Sequence, residues 1–274
     1  MNELTIIGTI TVDRLHFRHQ IRESLGGIPW FATELNPNER LKMRIVTNVG
    51  KDFPFKKVPK HILKASKINV VCGNTTTLDI FPDRKGVPAI VKDFTGEIKN
   101  INSLRGKVII ISPLFQEISV KSIKKLRAKF TIMIIDIQGF TRQSFKQNMK
   151  LSDDIKAEPK ELPQLCKLAD VMKFSENEFE VVFPGLPLSK RLETLHSWGL
   201  KNIVITKSDK GCLISTTNSQ PKTLSVKSVA ISDTIGAGDK FLILLGTFLV
   251  KNNNFEDSVM KAQRKLQMIM KAQV

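Results

Sequence analysis

Late in the chain a strand, a turn of small residues and a buried helix follow one another, and few folds accommodate that succession. Leu224 to Ile231 alternates as a strand does, and Phe241 to Val250 is an apolar run as long as a buried helix. Between them stand Ser232-Asp233-Thr234-Ile235-Gly236-Ala237-Gly238-Asp239. Small residues let the backbone approach a ligand, and the first turn of a helix offers unpaired N–H groups and a partial positive charge. Such a turn can hold a phosphate or a developing oxyanion. An aspartate beside it can accept a proton from a hydroxyl that attacks the phosphate. The plain structural alternative is a tight turn with Asp239 as a first-turn residue favoured by the helix dipole, and the turn alone leaves both readings open.

The rest of the chain supplies alternating elements. Leu4 to Ile10 is a β-prone run closed by a turn, which puts Asp13 just past the first strand, where the ligands of doubly wound sheets bind. A turn-capping aspartate is the alternative there. Arg14 to Ser24 is polar and irregular, as in an exposed strand pair or flap, and ends at Gly26-Gly27-Ile28-Pro29, where a helix begins. Ile45 to Val49 and Ile68 to Cys72 read as strands, and a basic helix precedes the second. Thr75 to Phe94 reads as a hairpin turning at Asp83-Arg84-Lys85-Gly86.

From Val108 onward strands and helices alternate regularly. The strands are expected at Val108–Ser112, Thr131–Asp136, Ala169–Phe174, Ile203–Thr206 and Cys212–Ser215. The helices are expected at Ser119–Ala128, Leu162–Leu168, from Glu176, Leu188–Trp198 and Glu256–Gln273. Such alternation implies a mostly parallel sheet covered on both faces, hence an α/β class. No linker, repeat or low-complexity segment divides the chain, so a single domain over residues 1–274 is expected, with a small β flap.

Composition narrows the function classes. The 274 residues suffice for a large core, and no apolar run reaches the ~18 residues of a membrane span. The opening residues Met1 to Gly8 carry no basic region and no cleavage site, so no signal peptide is expected. Cys72, Cys166 and Cys212 show no metal-type spacing and read as buried thiols of a cytoplasmic protein. The balance of 43 basic to 26 acidic residues, formally +17, fits a basic surface or attraction of polyanions such as nucleotides. The basic residues are dispersed and no nucleic-acid module is present, which argues against a nucleic-acid partner.

Taken together, the motifs resemble those of the ribokinase (PfkB-type) family of carbohydrate kinases. The family's D-T-x-G-A-G-D stands in full at Asp233 to Asp239. Gly8 through Asp13 is similar to its opening strand and sugar-binding aspartate, Gly26-Gly27 to its glycine pair, and Thr206 to Gly211 to its nucleotide-side turn. Lys173-Phe174-Ser175-Glu176-Asn177-Glu178 resembles the strand end followed by N-x-x-E. Asp136 to Arg142 and the aromatic Gly26 to Ala32 segment look like the archaeal and thermophile branch that includes myo-inositol kinases.

The resemblance implies a ribokinase-like three-layer sandwich with a mostly parallel central sheet and a small β-sheet lid, contributed by segments about 14–27 and 75–94. It implies ATP and Mg²⁺ as cofactors and a small sugar or polyol as acceptor, myo-inositol among the candidates, in a monomer or homodimer. Asp239 would be the catalytic base, with Gly236, Ala237 and Gly238 as the anion hole. Thr11, Asp13, Gly27 and Arg142 would face the acceptor. Ser175, Thr206, Gly211 and Gly238 would lie by the nucleotide, and Glu178 would organise Mg²⁺, through water. Three departures stand out: Ser175 replaces the Asn of N-x-x-E, Ser208 the central Gly of the nucleotide turn, and Lys240 the usual small residue after the base. Lys240 is read equally as neutralising phosphate charge or as pointing to solvent. A nucleoside kinase, with Trp30 or Phe31 stacking on the base, and a non-catalytic sugar- or nucleotide-binding protein are the alternatives.

Overall fold

The computed structural model describes residues 3–36, 41–82, 84, 87–142, 145–151, 160–217, 219–225, 236–252 and 254–271. The first half of the chain runs β1 (Leu4–Gly8), β2 (Thr11–His16), β3 (Ile21–Gly26), α1 (Ile28–Leu35), β4 (Met43–Val49), α2 (Lys60–Ala65), β5 (Lys67–Val70), β6 (Thr77–Ile80), β7 (Ala89–Asp93) and β8 (Gly106–Ser112). The second half runs α3 (Val120–Arg127), β9 (Phe130–Asp136), α4 (Gln138–Thr141), β10 (Met149–Leu151), α5 (Leu162–Leu168), β11 (Val171–Ser175), α6 (Glu176–Val182), α7 (Leu188–Ser197), β12 (Asn202–Thr206), β13 (Cys212–Thr216), β14 (Ser219–Leu224), α8 (Ala237–Lys251) and α9 (Phe255–Lys271).

Among the described residues, nine strands form one sheet in the order β14-β13-β12-β11-β9-β8-β1-β4-β5. The seven strands from β12 to β5 are parallel, and β13 and β14 run antiparallel at one edge. Strands buried on both faces read as unbroken apolar runs, which is why Leu4–Gly8 and Val108–Ile111 show no polar alternation. Their successive side chains feed two separate cores. Ile109 and Ile111 pack with the helices α3, α5, α6 and α7, while Val108 and Ile110 pack with α1, α2, α8 and α9. This is a three-layer α/β sandwich, the architecture that the resemblance implies.

A second, five-stranded sheet in the order β10-β7-β6-β2-β3 rises from the same side as the carboxyl end of β1. It is mixed, since β2 pairs parallel with β6 and the remaining neighbours are antiparallel. Leu78, Val91 and Phe115 pack beneath it with Phe94, Phe145 and Met149, so this sheet has a small apolar core of its own.

Several expectations are corrected. Asp13 does not follow the first strand: β1 ends at Gly8, and Asp13 is the third residue of β2, inside the small sheet. That sheet therefore starts at Thr11, and it has a fifth strand, β10, that its three-residue length left unreadable. Cys72 is exposed, because β5 stops at Val70 and leaves it in the following loop; Cys166 and Cys212 are buried as expected. A strand not expected from the sequence, β14, runs from Ser219 to Leu224, and the strand expected at Leu224–Ile231 falls almost wholly outside the described residues. Residues 226–235, with Asp233, and the hairpin positions Asp83, Lys85 and Gly86 lie outside the described residues.

Candidate active site

The site forms where the small sheet overhangs the carboxyl ends of the central strands, at the N-terminus of α8. That helix is apolar on nearly every side because it is wedged between the sheet, α1 and α9. Its N-cap, Gly236, has φ 71°, a left-handed conformation that glycine adopts without strain. The Phe31 ring of α1 lies against the Gly236 Cα, so a Cβ there would overlap the ring. Gly236, Ala237 and Gly238 thus present the free N–H groups of a helix start.

Asp239 sits half-buried in the first turn of α8. Burial pushes its carboxyl up to about 7, helped by Asp136 and Asp13 and opposed by Lys173 and Arg142. A carboxylate poised near neutrality is what general base catalysis at physiological pH needs. The same four groups show what the fold gathers around it: Asp13 from the small sheet, Asp136 from β9, Lys173 from β11 and Arg142 from the end of α4.

Asp13 is 5% exposed, and its Oδ1 has no hydrogen-bond partner among the described residues. Burial raises it to about 6, while the Thr11 hydroxyl, which donates to it, pulls the other way. The carboxyl packs directly on the Cα of Gly26, where a side chain would displace it. Gly27 is the N-cap of α1 and lies against the Thr9 carbonyl with φ 81°. Thr11, Asp13 and Gly27 are therefore brought together, as expected from their order in the chain. Arg142 donates from Nη1 to the Leu114 carbonyl at 3.0 Å and remains half-buried beside Asp239.

The nucleotide-side residues cluster on adjacent strand ends. Ser175 and Thr206 are paired across β11 and β12, and the Thr206 hydroxyl donates to the Phe174 carbonyl at 3.2 Å. Ser175 is the N-cap of α6 and completes a capping box with Glu178, which fixes the pairing of those two residues. Glu178 Oε2 accepts the Ser175 backbone N–H at 2.6 Å and lies 3.8 Å from Lys173 Nζ. Ser208, in place of glycine, takes φ 50° in a short 3-10 turn that ends at Gly211. Gly211 lies against the Leu224 carbonyl, on the outer side of this edge.

Three functional-looking groups were not singled out from sequence. Lys173 Nζ bridges to Asp136 at 3.2 and 3.3 Å, and a methyl added at Gly238 would sit 3.8 Å from it. Asp136 also accepts from the Ser112 hydroxyl and the Gln138 N–H, so it ties β8, β9 and β11 together. Glu117, 1% exposed, accepts from the Thr9 hydroxyl and from the Leu114 and Phe115 N–H groups, fastening the stem of the small sheet to the loop after β8. A lysine inside the apolar strand Val171–Ser175 was the readable signal for the first of these. Glu117 carried none.

The profile of the pfkB family carbohydrate kinases matches residues 124–265, just over half of the chain. The chain belongs to that family. A cytidine kinase of Thermococcus kodakarensis is 24% identical over 251 residues, 88% of this chain and 86% of the relative. A pyrophosphate-dependent kinase in the ribokinase family, solved with a pyrophosphate analogue and myo-inositol, superposes with a TM-score of 0.79 at 18% identity, over 98% of this chain and 95% of the other. The ribokinase of Thermotoga maritima superposes with a TM-score of 0.74 at 20% identity, over 96% and 91%. These structural likenesses bear on the fold, which is ribokinase-like. Membership of a kinase family makes phosphoryl transfer the relevant chemistry. No helix among the described residues is long and apolar enough to cross a membrane.

Proposed function

We propose that this PfkB-type kinase transfers the γ-phosphoryl group of Mg-ATP to a hydroxyl of a small sugar or polyol, with Asp239 as the base. The observation that carries the reading is a half-buried carboxyl at the first turn of α8, raised to about 7, with Asp13 beside it. Asp13 would accept a hydrogen bond from one acceptor hydroxyl through its unpartnered Oδ1, with Thr11 and Gly27 shaping that wall. A second hydroxyl would be directed at Asp239. As its oxygen attacks the γ-phosphorus, the O–H proton passes to Asp239, the new P–O bond forms, and the bond to the bridging oxygen breaks to release ADP. The N–H groups of Gly236, Ala237 and Gly238 would meet charge on the phosphoryl oxygens, with Lys173 and Arg142 adding fixed positive charge.

Ser175, Thr206 and Gly211 would border the nucleotide. Mg²⁺ would arrive with it as part of the co-substrate. The Glu178 carboxylate already accepts the Ser175 N–H and neighbours an ammonium group, which fits contact with the ion through water.

A nucleoside acceptor is the second reading, favoured by the cytidine kinase relative that spans most of the chain. A phosphorylation screen of polyols, hexoses and nucleosides with Mg-ATP tests both. Turnover of a polyol or sugar supports the first, turnover of a nucleoside the second, and ATP binding with no acceptor turned over would sink both in favour of a binding protein.

A further inference from the structure

Lys240 follows the proposed base and does not face solvent. It is 6% exposed, at the fourth position of α8; its backbone N–H donates to the Gly236 carbonyl, and its ammonium has no hydrogen bond or ion pair among the described residues. Its Nζ stands 5.0 Å from the centroid of the Phe31 ring, the ring that packs on the Gly236 Cα. Helical side chains lean toward the N-terminus, so the ammonium is directed back at the cap of α8. Lys173 reaches the same helix end from the Gly238 side, but Asp136 and Glu178 already neutralise it. Among the described residues, the Lys240 ammonium has only the face of an aromatic ring.

A buried ammonium without a counter-charge is unfavourable, and cation–π contact offsets only part of that cost. Folding tolerates such a group where a ligand completes it. We propose that Lys240 is an anion-binding residue that takes an oxygen of a phosphoryl group seated at the N-terminus of α8. The inference rests on the reading of that helix end as the phosphoryl site, and it adds a side-chain contact to the backbone N–H groups there. Two sources present this chemistry, the phosphoryl group in transfer and a phosphate already carried by the acceptor.

Lys240→Met, which keeps the length and removes the charge, separates a ligand contact from a structural one. The measurement is thermal unfolding with and without inorganic pyrophosphate at constant ionic strength. The expected result is a variant at least as stable as the wild type without the anion, in which pyrophosphate produces a much smaller rise in melting temperature. An equal pyrophosphate response in the two proteins, or none in the wild type, overturns the proposal. If Lys240→Met does not fold, Lys240→Gln is held to the same criterion. Asp239→Asn keeps Lys240 and retains the response even if Asp239 proves not to be the base, so the two readings fail separately. In turnover assays, loss of a charge-assisted hydrogen bond lowers kcat/KM by about 10- to 100-fold. A loss common to neutral and phosphorylated acceptors assigns the contact to the phosphoryl in transfer; a loss confined to phosphorylated acceptors assigns it to the acceptor's phosphate.

Discussion

Lys173 Nζ lies 3.2 Å from Asp136 Oδ1, on directly paired positions of adjacent parallel strands, with both side chains shut away from water. Burial alone would lower the Lys173 ammonium, but Asp136, Glu178 and Asp239 together hold it above its ordinary value, so it stays charged. The pair pins the ends of β9 and β11 beside the cradle at Gly238.

Removing one partner of a buried pair leaves the other uncompensated. Lys173→Met is therefore expected to lose about 3–5 kcal/mol of stability in urea unfolding. The double variant Asp136→Asn with Lys173→Met, which removes both charges together, is expected to recover most of that loss. A single variant as stable as the wild type would show that the pair does not hold these strands.

Asp239→Asn keeps the shape and removes the base. It is expected to fold and bind ATP, with turnover falling by ~10²–10⁴-fold. Near-normal turnover in steady-state assays would refute the assignment of the base.

The same carboxyl predicts two opposite responses to pH. Because kcat/KM requires ionised Asp239, it should rise with pH through a midpoint near 7, and Asp13, near 6, ionises just below. Stability should move the other way. Both folded-state values lie above the ordinary aspartate value of 3.8, so the folded chain binds more protons than the unfolded one between them. The stability from the neutral carboxyls is complete below about 4 and is lost as pH rises toward 7. Asp239→Asn should remove part of this slope and melt roughly 2–4 °C or more above the wild type at pH 8. Parallel pH–melting curves for the two proteins would contradict this.

The apolar runs were enough to place most of the central sheet, because a strand buried on both faces has few alternatives. The small sheet was legible only in part. Leu4 to Ile10 looks like one strand, and nothing local marks the break after Gly8 that sends Thr11 into a different sheet. Val171–Ser175 carried a visible anomaly in Lys173, but its partner, Asp136, lies 37 residues earlier, a distance that spacing rules do not span. Lys240 was undecidable from the sequence. Whether it faces solvent or an aromatic ring depends on α1 packing against α8, a contact between opposite ends of the chain.

Gly26 offers a test of the acceptor wall that leaves every charged group in place. A methyl at this position would meet the Asp13 carboxyl and would come within 2.7 Å of Thr11 Oγ1, so both must shift. The backbone there is extended, at the end of β3, and accepts alanine without conformational strain. Gly26→Ala should therefore fold, because the conflict falls on side chains of the site, not on the core. Displacing a positioning carboxylate by about 1 Å can cost on the order of 10²-fold. The expected outcome is a 10- to 100-fold rise in acceptor KM or fall in acceptor kcat/KM, with ATP affinity, measured by calorimetry, unchanged. If ATP affinity falls and acceptor kinetics do not, Asp13 belongs to the donor side of the site.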